Sequence, residues 1–188
     1  MARSKGRRLV YAPEDVVNEL MELATKKGIA FQDLVDRGLR SIVKALRMGM
    51  SLDELEALAN TIQAQRASGL TLIPIEVLRF IEDKVDGREL ESKWLEAGSW
   101  YGKYLKGKVE DPIKFLRNLL KATRWELDEL EVIEEGDSIV FRCISSALSM
   151  KGTNCLKSFI EGAMQSLGYE VEGFDQARGI LMMKFKKK

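Results

Sequence analysis

Histidine is absent from these 188 residues. With it go the commonest general base, every Ser-His or Cys-His dyad, and histidine metal sites. Cysteine is almost absent: Cys143 and Cys155 are the only two, too few for a closed zinc site. Cys143 falls mid-strand on an apolar face, and both read as small buried side chains rather than nucleophiles. No run of about 18 apolar residues occurs, so no membrane span is expected. The start of the chain lacks the apolar core of a signal peptide, and the expected compartment is the cytoplasm. Charge of one sign is also lacking, with 30 basic residues against 29 acidic and a net charge of +1. The whole-molecule field steers nothing, so attraction to nucleic acid has to come from local clusters. Nothing here supports catalysis, and no cofactor or metal is implied.

Hydrophobic residues make up 45% of the chain, enough for an ordinary core. Charged residues reach 31% while Asn and Gln are sparse, the composition expected of a thermophile. In such a host a Cys143–Cys155 bridge is allowed.

Local clustering begins at the first residues. Arg3, Lys5, Arg7 and Arg8 surround Gly6 with no acid among them, forming a basic arm. Residues 9–12 read as a short strand. Pro13 suits the first position of a helix, and Glu14 and Asp15 complement the positive end of its dipole. Val16, Val17, Leu20, Met21 and Ala24 share one face of that helix, and Lys26, Lys27 and Gly28 close it. Phe31, Leu34, Val35, Leu39, Ile42, Val43 and Leu46 recur at helical spacing in the next.

Ser51 with Glu54 forms a capping box for a third helix through Leu52, Leu55, Leu58 and Ile62, ending near Gly69. A turn over residues 70–73 leads to Pro74 and a short helix ending near Asp86 and Gly87. The polar stretch DKVDGREL, residues 83–90, marks a boundary. A helix from Arg88 carries Leu90, Trp94, Ala97, Tyr101 and Leu105 on one side, with Gly98 and Gly102 spaced for close backbone packing. Asp111 and Pro112 restart a helix through Ile113, Leu116, Leu119 and Leu120. ELEVIEEGDSIVFRCIS then alternates with period two about a turn, a hairpin pattern. A helix over Cys155, Leu156, Phe159, Ile160, Ala163 and Leu167 ends at Gly168. YEVEGFDQARGILMMKF is a second hairpin, and the closing KFKKK reads as lysines guarding an exposed edge strand.

The fold class is therefore α+β. Residues 1–48 form a basic arm with a mostly helical dimerisation domain, 49–87 a helical connector, and 88–188 helices packed on a four-stranded antiparallel sheet. Trp94, Trp100, Tyr101 and Trp125 cluster on helices as core and would line any apolar pocket there. The uncovered sheet face would serve further oligomerisation or a protein partner.

A strand at residues 9–12 needs a mate, either the chain's own sheet about 120 residues later or the same strand of a second copy. The order strand, helix, Gly turn, helix over residues 7–47 resembles the ribbon-helix-helix family, through APEDVV, KKG and FQDLVDRGLRSIVKAL. That resemblance implies two intertwined chains whose N-terminal strands lie as a ribbon in the DNA major groove. Two helices and one strand cannot bury both apolar faces alone, so a symmetric dimer is expected on physical grounds as well.

By the family's register Tyr11, Leu9 and Arg7 point outward to DNA, while Ala12, Val10 and Arg8 point inward. Leu9 and Tyr11 depart from the usual Arg, Lys, Asn and Gln base readers, which puts sequence-specific reading in doubt. Arg3, Lys5, Arg7 and Arg8 would flank the ribbon and meet phosphates. The second helix would offer its first amides near residues 29–31, with Lys26 and Lys27 alongside. The expected function is a dimeric DNA-binding transcription regulator. The alternative is a protein-interaction scaffold in which the N-terminal unit only dimerises.

Residues 94–188 are similar in order to vinyl-reductase-type sensor domains and related transport-particle subunits, through WLEAGSWYGKYL and NCLKSFIEGAMQSLGYEV. That likeness implies a small-ligand sensor or an assembly module. The Cys-rich stretch of the vinyl-reductase type is missing here, and no binding residue carries over.

Overall fold

The computed structural model describes residues 9–68, 73–122 and 127–188. The chain divides into two compact units, one running to Leu52 and the other Asp53–Lys188. No described helix is long and apolar enough to cross a membrane.

The first unit holds α1 (Glu14–Lys27) and α2 (Phe31–Arg47). Glu14 and Asp15 occupy the first turn of α1, and Lys26 and Lys27 the last, each complementing the dipole at its end. Gly28 closes α1 in the left-handed region, with φ 63°, and the Ile29 amide donates to the Ala24 carbonyl at 3.0 Å. Residues 9–12 precede α1 as exposed chain outside any strand. Among the described residues of this unit, the buried side chains are Ala24 and Ala45. The apolar faces of both helices form as expected, but Val16, Met21, Leu39, Ile42, Val43 and Leu46 stand exposed.

The second unit contains α3 (Leu52–Ser68, its first residue shared with the boundary), α4 (Ile75–Lys84), α5 (Gly87–Lys108) and α6 (Pro112–Ala122). These are followed by the hairpin β1 (Glu129–Glu135) and β2 (Ser138–Ile144), then α7 (Met150–Leu167), then the hairpin β3 (Tyr169–Ala177) and β4 (Ile180–Lys187). Asp86 caps α5 by accepting from the Arg88 and Glu89 amides, and Asp111 accepts from the Lys114 amide at the start of α6. The four strands form one antiparallel sheet in the order β1-β2-β4-β3, which does not include residues 9–12.

The core lies between the sheet and its helices. Ile139, Phe141 and Cys143 on β2 and Leu181, Met183 and Phe185 on β4 are buried, facing Leu116 and Leu120 of α6 and Leu156, Phe159 and Ile160 of α7. Phe141 and Phe185 meet edge to face, with centroids 5.8 Å apart. Helices α5 and α7 pack backbone to backbone. A Cβ on Gly98 would collide with the Phe159 carbonyl, and one on Gly162 with the Leu95 carbonyl. Small residues at these crossings let Tyr101 of α5 reach Phe159, centroids 5.5 Å apart, and bury both rings. Cys143 and Cys155 are buried and free, so the bridge allowed by composition is not formed.

Two expectations need correction. KFKKK does not guard an edge, because β4 is a central strand between β2 and β3. Lys184 stands on its uncovered face and pairs with Glu172 of β3 at 2.8 Å, while Lys186 lies opposite Glu170 and Ser138. The periodic leucines of α3 mark its buried side only in part, Leu55 and Leu58 being half-buried. Leu52 and Ile62 are exposed, and the buried positions are the smaller Ala57 and Thr61.

Candidate nucleic-acid interface

The expected interface is split by what the structure describes. Arg3, Lys5, Arg7 and Arg8 lie outside the described residues. Leu9 and Tyr11 stand 82% and 93% exposed on the segment leading into α1. Lys26 and Lys27 are exposed in the last turn of α1, and the αL turn at Gly28 leads directly to the first turn of α2. Ala30 gives that turn no side-chain cap, so its amides remain available to an anion. Asp33 sits in the same turn and opposes one. The structure thus brings Lys26 and Lys27 to the N-terminus of α2.

The second unit carries an open groove of about 460 Å³. One polar face of α3, with Asp53, Glu56, Asn60 and Gln63, forms one wall. Tyr104 and Lys108 at the end of α5 and Lys114 and Phe115 of α6 form the other. Trp100 stacks on Tyr104 with centroids 5.4 Å apart, which fixes the ring at the rim. The expected aromatic lining is thus corrected. Trp94 meets Phe159 edge to face and belongs to the core, the ring of Tyr101 is buried, and Trp125 lies outside the described residues. Tyr104 and Phe115 line the groove instead, in largely polar company. Among the described residues no His, Cys, Asp and Glu group converges as a metal site.

Sequence reasoning missed a polar cluster at the start of α7. Glu82 on α4 is only 7% exposed, and its carboxylate accepts from the Ser149 hydroxyl at 3.2 Å. Lys151 donates to the Glu82 backbone carbonyl at 2.7 Å. Burial raises the Glu82 carboxyl above its ordinary value, and Asp83 adds to the rise. The Ser149 hydrogen bond, Arg79 and Lys151 oppose it. The one sequence signal was that Glu82 falls four residues after Leu78, on the inward side of the helix.

An α+β protein with an antiparallel sheet covered on one side by helices is what the geometry defines. Comparison with family models, with curated proteins and with solved structures finds no match to this chain.

Proposed function

We propose that the chain is the protomer of a homodimeric DNA-binding protein, a transcription regulator of ribbon-helix-helix type. In this reading residues 7–12 of two copies pair as an antiparallel ribbon, and α1 and α2 of both copies make one shared core. The unit Asp53–Lys188 then senses a ligand or drives assembly, with the groove at Tyr104 and Phe115 as its concavity. The observation that carries the proposal is the inverted burial of the first unit. Two alanines are buried while Val16, Met21, Leu39, Ile42, Val43 and Leu46 meet solvent. Covering the exposed part of such side chains is worth roughly 1 kcal/mol each, on the order of 10 kcal/mol for two copies. No comparable gain is open to the two helices alone.

DNA contact rests on charge. Arg3, Lys5, Arg7, Arg8, Lys26 and Lys27 are doubled by the dimer, and Leu9 and Tyr11 supply the outward ribbon face. Phosphate contacts release counterions, so affinity for a generic duplex should fall steeply as salt rises. Removing residues 1–6, or Arg7→Ala, should weaken binding and flatten that dependence. Absence of binding to any duplex at low salt would refute the proposal.

The exposed Leu9 and Tyr11 also favour a second reading, a scaffold whose first unit only dimerises. A protein complex that survives nuclease and high salt, together with failure to bind duplex, would select it.

A further inference from the structure

Helix α4 is held to the second unit in an unusual way. Among its described side chains the one fully buried is an acid, Glu82, with Leu78 and Ile81 half-buried, while Phe80 is 63% exposed and Val77 is exposed beside it. Much of its fastening is polar. Ser149 Oγ donates to Glu82 Oε2, Lys151 Nζ donates to the Glu82 carbonyl and, at 3.4 Å, to that of Val85, and Arg79 Nη2 donates to the Ala147 carbonyl at 3.4 Å. Water can replace every one of these bonds, so each contributes little net free energy. The neighbouring α5–α7 pair is locked by interdigitated backbone and does not depend on α4.

The carboxylate also has a prepared seat. Glu82 Oε1 and Ser149 Oγ both lie 3.5 Å from where a Cβ on Gly152 of α7 would stand, so the carboxylate rests directly against the first turn of α7. One turn on, Cys155 is buried, and burial pushes its thiol up to about 12, with the Glu82 and Glu91 carboxylates adding to the rise. Cys143, by contrast, lies inside the sheet core on β2.

We infer that α4 is a releasable strap, seated on the first turn of α7 through Glu82 and Lys151, and that its release uncovers Cys155 while the rest of the unit stays folded. This does not rest on the DNA-binding reading. Local opening of a weakly held segment precedes global unfolding. The chain's two cysteines report the two events separately: Cys155 follows the strap and Cys143 follows the core. Thiols react as thiolates and only when exposed, so modification rate measures opening.

The test is alkylation of the full-length protein with iodoacetamide at neutral pH, each cysteine followed by mass spectrometry. Cys155 should react faster than Cys143 in the native protein. Lys151→Met removes the ammonium from the α4 carbonyls without steric load, and Gly152→Leu adds side-chain atoms beyond the Cβ that already meets Glu82 Oε1 at 3.5 Å, crowding the carboxylate. Either should raise the Cys155 rate about tenfold, the ratio equivalent to about 1.4 kcal/mol of lost fastening, and leave Cys143 unchanged. Equal rates for the two cysteines in the native protein would overturn the strap. So would a Cys155 rate unmoved in both variants, or a parallel rise at Cys143.

Discussion

Glu82 shows how one buried acid makes stability depend on pH. Its neighbours are Asp83 and Arg79 on α4, Ser149 capping α7 and Lys151 in its first turn, and burial outweighs those that favour the charged form. Because its folded value is raised, the folded protein holds the proton more tightly than the unfolded chain does. The resulting stability is fully present below the ordinary glutamate value of about 4.3 and is lost as pH rises through the raised value. Glu82→Gln keeps an acceptor for Ser149 and removes the charge. Its melting temperature should therefore be higher at neutral pH, by about 2–4 °C, with a flatter pH slope above about 4.3. A slope unchanged in thermal scans at several pH values would contradict this. Gly162 is a residue of the opposite kind, with no chemistry and no spare space. A valine there would meet the Leu95 carbonyl, and Gly162→Val should destabilise the second unit by about 3 kcal/mol in denaturant titration.

The elements were legible in the sequence to unequal degree. The strands alternate for most of their length, as SIVFRCI and the first half of ELEVIEE do, and the helices open at Asp86 and Asp111, so hairpins and helix starts fall where periodicity and capping put them. Ile113, Leu116, Leu119 and Leu120 are all buried as their spacing requires. Sheet order was harder, because pairing between two hairpins is a long-range choice. The acids of β1 and β3 do carry the information: Glu-rich strands take the edges and the more apolar β2 and β4 the centre. The lysines that end β4 concealed this, since they face solvent from a central strand. On α3 periodicity was off by part of a turn: Leu55 and Leu58 are half-buried, but among the described residues Ala57 and Thr61 are the ones fully buried. The groove was illegible for a related reason. One wall, α3, lies about 40 residues before the α5–α6 corner that forms the other, and the acids and amides of α3 read as an ordinary solvated face.

At the scale of the whole molecule, two units of the same chain stand in opposite physical states. Asp53–Lys188 has a continuous core from α5 to β4. The first unit has its helices, caps and αL turn in order, but its apolar side chains are turned to solvent. On the proposed reading a second copy covers these faces, since identical amphipathic helices supply a symmetric surface. Sedimentation equilibrium of the full-length protein at moderate salt therefore reads the main claim directly. The mass should be twice the 21.3 kDa of the chain at micromolar concentration, and Leu39→Glu should bring it back to one chain while the second unit stays folded. A native protein that remains at 21.3 kDa across that range, with the helices of its first unit intact by hydrogen exchange, would contradict it.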